Sequence, residues 1–268
     1  MYLLFDVGGT NTRIAFTRDG KNFDRPRVFA TPKDFNDALR LFREASYGKK
    51  IKAAGGGVPG PLDRAKAKIL NAPNLDGWNK KPLKKELAKI LKTPVYLEND
   101  AALCGLGEAY FGAGKNKKIV AYLTIGTGVG GARIVNGHID ANIYGFEPGH
   151  QFICFEAGRD LESYISGRSL KKQYKREPSQ ITDQKVREEV SRYLAYGLAN
   201  TIVHWSPEIV ILGGAVTKML PLARIQFHLR QIVKIFPEIP PVRKGRLGDN
   251  AGLYGALIFL KQNLTPIT

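Results

Sequence analysis

Cysteine is scarce in this sequence. Its 268 residues hold only Cys104 and Cys154, which excludes a disulfide framework and agrees with a reducing compartment. No apolar run approaches the ~20 residues that a membrane-spanning helix needs. The start shows no secretory pattern, since Met1 leads into an apolar stretch ending in Asp6, without a basic region or a small-residue cleavage site. These absences point to a cytoplasmic protein with no membrane partner. A polar linker and low-complexity segments are missing too. A chain of this length exceeds one ordinary compact core, so two lobes or one large α/β domain are the options, joined by structured crossings. Hydrophobic content of 43% and charged content of 24% are those of a globular protein.

Acidic residues are also few, 24 against 41 Lys and Arg, for a formal charge of +17. Such an excess raises the question of nucleic acid, because clustered cations bind phosphate backbones through counterion release. Here the cations are spread through Lys49-Lys50, Lys80-Lys81, Lys84-Lys85, Lys115 to Lys118, Lys171-Lys172 and Arg243 to Arg246. They show no aromatic interleaving. The expectation is a solvated basic surface that attracts anionic substrates, with no specific nucleic-acid partner.

Along the chain, strand-like runs at Tyr2 to Val7, Thr12 to Thr17 and Pro26 to Thr31 are punctuated by Gly8-Gly9 and by Asp19-Gly20, a hairpin signal. Helical stretches at Phe35 to Ser46 and Leu83 to Leu91 precede strands at Ile51 to Gly55 and Val95 to Leu97. That alternation indicates βαβ units in one mixed sheet. A helix is expected over Ala101 to Phe111, and a second sheet opens with Ile119 to Thr124 and Gly131 to Val135. Helices then dominate, at Asp160 to Tyr174, Asp183 to Trp205, Leu220 to Phe236 and Ala251 to Gln262, with a strand at Ile209 to Leu212. Internal repetition is architectural, in two strand–glycine–strand openings.

The first opening, Asp6-Val7-Gly8-Gly9-Thr10-Asn11-Thr12-Arg13, delivers a strand and a carboxylate into a glycine turn. Its amides suit a phosphate, Thr10 and Thr12 add hydroxyls, and Asp6 is placed to meet a hydrated Mg²⁺; a plain glycine-rich hairpin is the alternative. The second, Gly126-Thr127-Gly128-Val129-Gly130-Gly131, leads into a strand and not a helix, which argues against a Rossmann site, and no Walker A lysine is present. Two such turns could grip one polyphosphate. Glu98-Asn99-Asp100 lies where a strand meets a helix, a place for either chemistry or capping. Glu147-Pro148-Gly149-His150 sets an acid and an imidazole around a turn, and Glu162 follows; together they could offer hydrogen bonds to a polyol.

The order of these segments resembles the ROK family of sugar kinases, members of the actin-like ATPase superfamily, over nearly the whole chain. Gly57-Val58-Pro59-Gly60-Pro61 and Asn71 to Trp78 are similar to that family's sugar-side loops. Pro207 to Gly214 resembles its adenosine motif, ending in Gly213-Gly214, and Asp249 to Ala256 its closing helix. The resemblance implies a two-lobed, actin-like (ribonuclease H-like) α/β fold with mixed sheets and helices on both faces. One lobe would comprise 1–108 plus 249–268 and the larger one 109–248. It also implies a homodimer.

By the same resemblance the protein is an ATP-dependent hexose kinase acting on the 6-hydroxyl of a glucose-like sugar, with Asp100 as base. Gly57, Asn74, Asn99, Glu147, His150 and Glu162 would bind the sugar. Asp6, Gly8, Gly9, Thr10, Asn11, Thr12, Arg13, Thr127, Gly128, Gly130, Gly213 and Gly214 would bind ATP, with Mg²⁺ near Asp6 through water. A kinase for an N-acetylhexosamine or fructose, a kinase for another alcohol, and a sugar-responsive regulator are the alternatives. The regulators of the family carry an N-terminal helix-turn-helix, for which the early phosphate motif leaves no room. One departure stands out: the family's cysteine-rich zinc segment after the histidine is replaced here by His150 to Glu162 with a single cysteine. No closed zinc site is expected. A hydrophobic plug of Phe152, Ile153 and Phe155, with Cys154 a buried thiol, is expected in its place.

Overall fold

The computed structural model describes residues 1–264. The chain opens with β1 (Tyr2–Val7), β2 (Asn11–Thr17), β3 (Arg27–Ala30), α1 (Phe35–Ala45), β4 (Ala53–Val58), α2 (Leu83–Leu91), β5 (Val95–Asn99) and α3 (Asp100–Phe111). It continues with β6 (Ile119–Ile125), β7 (Val129–Val135), β8 (His138–Ile139), β9 (Phe152–Cys154), β10 (Arg159–Asp160), α4 (Leu161–Ile165) and α5 (Gly167–Tyr174). The last elements are α6 (Gln184–Trp205), β11 (Ile209–Gly213), α7 (Leu222–Ile232), β12 (Val242–Lys244) and α8 (Ala251–Leu264).

These elements form two compact units. The first holds Met1–Gly107, Ala141–Gly145 and Asp249 onward, the second Glu108–Asp140 and Phe146–Gly248. Relative to the expected division, the segment Ala141–Gly145 groups with the first unit.

In the first unit five strands run β3-β2-β1-β4-β5. The pairs β1–β2 and β2–β3 are antiparallel, β1–β4 and β4–β5 parallel. Alternation in β1 sorts the side chains. Leu3, Phe5 and Val7 join Phe35, Phe42, Leu83 and Leu87 in the core under α1 and α2, while the opposite face, with Asp6, meets α8. That helix is apolar nearly all round, as a helix buried on several sides must be. It crosses α3 at a glycine contact, where a Cβ on Gly255 would lie 1.8 Å from the Leu103 carbonyl oxygen.

The second unit repeats the plan as β12-β11-β6-β7-β8, again an antiparallel meander joined to parallel strands. Leu123, Ile125 and Val129 pack there with Leu161, Leu194, Leu198, Ile225 and Leu229 of α4, α6 and α7. The repetition therefore extends from the two glycine turns to whole sheets.

Three local expectations are corrected. The helix expected over 160–174 is broken at Ser166, whose extended backbone ends α4 while its hydroxyl caps α5 by accepting from the Ser169 N–H. Asp19-Gly20 is no two-residue hairpin turn. Asp19 Oδ1 accepts from the Lys21 and Asn22 N–H groups, and residues 18–26 loop out before β3. The hydrophobic plug is absent, for Phe152 and Phe155 are 65% and 90% exposed. Cys154 is only half-buried, with its Sγ 3.9 Å from Glu156.

Candidate active site

On the first unit the sheet register sets Asp6 opposite Arg13 of β2 and Gly57 of β4. Asp100 begins α3, one residue after β5 ends. Both carboxylates are crowded by backbone that only glycine permits. A Cβ on Gly252 of α8 would lie 2.5 Å from the Asp6 carboxyl carbon, and one on Gly57 would lie 2.9 Å from the Asp100 Cα. Burial, and then the charge of Asp100, push the Asp6 pKa up to about 7; Arg13 pulls it down and Asp249 adds to the rise. Burial likewise raises Asp100 to about 6, against the Ala101 N–H that its carboxylate accepts. Arg13 is anchored by an ion pair to Asp249 at 3.0 Å.

Helix capping and the second carboxylate fall to different residues. Asn99 Oδ1 accepts the Ala102 N–H at 3.0 Å, a true N-cap, and its Nδ2 donates to the Gly60 carbonyl. Glu98, buried, accepts from the Asn99 N–H and from Lys66 Nζ, both at 2.8 Å, and fixes the strand end from below.

The first glycine turn is riveted from outside. Gly8 N–H donates to the Asn11 carbonyl, and Thr31 Oγ1 donates to the Gly8 carbonyl. Thr12, expected to meet phosphate, is buried with its hydroxyl 3.0 Å from that of Thr31, so it holds the turn instead. Lys33 Nζ donates to the carbonyls of Gly9 and Asn74, both at 2.8 Å, and ties the turn to the Asn74 loop. Among the described residues the Gly9 and Thr10 N–H groups keep no partner, while Thr10 and Asn11 are exposed.

On the second unit the turn from Gly126 to Gly128 closes through the Gly126 N–H and Gly128 carbonyl at 2.9 Å. The start of α5 holds it, Gly167 N–H donating to the Gly126 carbonyl and Arg168 N–H to that of Thr127. The N–H groups of Thr127 and Gly128 stay without partners among the described residues. Gly130 lies beyond the turn, in the ladder opposite Thr124. Gly213 ends β11 against Tyr122, and Gly214, at φ +87°, passes over the Ile125 carbonyl, a close approach open only to glycine.

Glu162 belongs to this turn as much as to any ligand. Its Oε2 accepts the Val129 N–H at 2.7 Å, and a Cβ on Gly128 would fall 2.7 Å from the same oxygen. Glu147 leads into the Pro148–His150 turn, where Gly149 lets the chain dock on the Val129 carbonyl. The exposed His150 ring meets Asp160 Oδ2 through Nδ1 at 2.9 Å. That bond, with the charges of Glu162, Asp160 and Glu147, raises the imidazole above its ordinary value.

Sequence reasoning missed Lys33, Lys66 and Asp160. Lys33 and Lys66 reach partners 24 to 41 residues away, and no local pattern marks such contacts.

Asp6 and Asp100 are buried hard oxygen donors, held above the ordinary carboxylate value chiefly by burial, a setting that suits a hydrated Mg²⁺. Zinc does not fit. The Nδ1 of His150 is taken by Asp160, and among the described residues no group of three His, Cys, Asp or Glu side chains is arranged to hold a metal ion.

A model of the ROK family matches residues 2–263. The glucokinase of Thermotoga maritima is 28% identical over 97% of this chain and 96% of its own. The N-acetyl-D-glucosamine kinase of Shigella flexneri is 29% identical over 96% and 98%. A crystal structure of a ROK family glucokinase from Streptomyces griseus, in complex with glucose and AMPPNP, superposes with a TM-score of 0.82 at 27% identity, covering 97% of this chain and 99% of that one.

Proposed function

This chain belongs to the ROK family, with its actin-like α/β fold, and from that premise we propose that it is an ATP-dependent sugar kinase acting on the 6-hydroxyl of a hexose. The observation that carries the reading is Asp100. It stands at the first position of α3, the capping work is done by Asn99, and burial lifts its carboxylate to about 6. An isolated carboxylate near 4 is a poor base for an alcohol. One near 6 is a better acceptor yet still ionised at neutral pH.

In the proposed reaction the sugar hydroxyl oxygen bonds to the γ-phosphorus and the bond to the β,γ-bridging oxygen breaks. The hydroxyl proton passes to an Asp100 oxygen. The transition state is loose, so orientation and late proton acceptance suffice. On the first unit the Gly9 and Thr10 N–H groups, and on the second those of Thr127 and Gly128, are donors suited to phosphate oxygens. Asp6 would hold a Mg²⁺ through water, and that ion would neutralise charge on the phosphates when bound. Glu147, His150 and Glu162 present two acids and an imidazole for sugar hydroxyls. On the first unit Asn99 keeps one amide hydrogen and one lone pair that could meet a hydroxyl.

An N-acetylhexosamine is the second substrate reading, favoured by the N-acetyl-D-glucosamine kinase relative, as similar as the glucokinase. A coupled assay over glucose, mannose, fructose, N-acetylglucosamine and N-acetylmannosamine separates the two. On the best sugar, Asp100→Asn is expected to lower kcat by roughly 10²–10⁴-fold while ATP affinity persists. The wild-type kcat at saturating sugar, ATP and Mg²⁺ should climb through about pH 6, as the Asp100 value requires. Near-normal turnover in the variant would overturn the assignment.

A further inference from the structure

The segment after His150 replaces a cysteine-rich stretch with a short hairpin. In it β9 and β10 pair antiparallel, with a register shift at Arg159 and Asp160. Such an irregularity re-aims a side chain, and here it returns Asp160 to a residue ten positions back, His150. The carboxylate is fixed at its other oxygen. Asp160 is the N-cap of α4, Oδ1 accepting the Ser163 N–H at 2.9 Å while Ser163 Oγ donates to the Asp160 carbonyl at 2.7 Å. One aspartate therefore ties the imidazole to the start of a helix whose second residue is Glu162.

What grips Nδ1 decides what Nε2 can do. A metal takes the Nδ1 lone pair, so the ring keeps its proton on Nε2 and acts there as a donor. A carboxylate instead accepts a hydrogen bond from Nδ1–H, and the neutral ring offers a lone pair at Nε2. Resting on the sugar-kinase reading, we propose that Asp160 positions His150 in place of a metal ion and reverses the polarity of Nε2, which accepts a hydrogen bond from a sugar hydroxyl. Three carboxylates face the ring. Asp160 holds it, while Glu147 and Glu162 act through charge, and Glu162 is committed by Oε2 to the Val129 N–H. All three favour a second proton on the imidazole. Nε2 accepts only above the pH at which that proton leaves.

Asp160→Asn is the discriminating variant. An asparagine keeps the cap through its Oδ1, and its Nδ2 then donates to Nδ1, which moves the imidazole proton to Nε2. A long-range ¹H–¹⁵N spectrum at about pH 9, well above the ordinary histidine value, reads the tautomer directly, with His150 assigned by its loss in His150→Gln. Wild type is expected to show the protonated nitrogen as Nδ1 and the variant as Nε2. The sugar KM should rise about tenfold, the scale of one mispaired hydrogen bond, with kcat and the ATP KM within about twofold. A wild-type proton on Nε2, or one zinc per chain in the purified protein, overturns the proposal. Reversed spectra with an unchanged sugar KM overturn the sugar contact. The kinase reading itself stands or falls on turnover and on Asp100→Asn.

Discussion

Asp6 is more costly to ionise in the folded chain than out of it. Its folded value is about 7, against an ordinary value near 4. Below about pH 4 the group is protonated in both states and costs nothing. As pH rises the unfolded chain ionises first, so stability is lost progressively up to about pH 7. At roughly 1.4 kcal/mol per pKa unit the full cost is a few kcal/mol. Asp6→Asn keeps the shape and removes that cost. Its melting temperature at pH 8 is expected to exceed wild type by several degrees, at about 2–4 °C per kcal/mol for chains of this size, with no gain near pH 4. Millimolar Mg²⁺ should raise the wild-type melting temperature at pH 8 and leave the variant unmoved, while activity in the variant is lost. Equal destabilisation of Asp6→Asn at both pH values would show that the carboxylate makes structural bonds instead.

Between elements, Glu162 couples the second glycine turn to α4, accepting the Val129 N–H while lying close against Gly128. Gly128→Ala has no backbone strain to overcome, since its φ lies outside the left-handed region, so the cost falls on the glutamate, which must swing away from the Val129 N–H. The sugar and nucleotide KM values should both rise about tenfold, with unfolding free energy changed by about 1 kcal/mol or less. In a Glu162→Ala background the same substitution should have little further effect; an undiminished loss there would mean that the turn itself is deformed. Most elements were legible because strand alternation and helical period are local: α2 falls on Leu83 to Leu91 as read, and β1 on Tyr2 to Val7. The break between α4 and α5 was not, because Ser166 ends one helix and caps the next within a continuous helical pattern. Asn136-Gly137 carried a hairpin signal that went unread; both residues take positive φ and join β7 to β8. The carboxylates and glycines of the candidate site stood out in sequence through their setting at strand ends. Asp160, Lys33 and Lys66 did not, since each acts on a partner that only the folded chain brings near.

At the scale of the whole molecule the excess of cations, 41 against 24, is left over after the local ion pairs are formed. Several of the acids are already committed, Glu188 to Arg224 and His228, Asp249 to Arg13, Glu98 to Lys66. Among the described residues no helix is long and apolar enough to cross a membrane. The surplus acts as a long-range field that concentrates anions, ATP among them, and its reach shrinks with the Debye length, to about 8 Å at physiological ionic strength. A field of this kind also draws DNA and RNA without reading them. Any such complex is expected to be non-specific: one covering about 6–10 phosphates loses roughly 10³–10⁵ in affinity between 50 and 200 mM salt. Fluorescence anisotropy with unrelated duplexes and a single-stranded RNA, titrated with salt, measures this. Binding should vanish for every sequence over the same salt range, while sugar turnover at saturating ATP changes little. A duplex held selectively at physiological salt would identify a base-reading surface and favour the regulator alternative, because counterion release alone gives every sequence the same affinity.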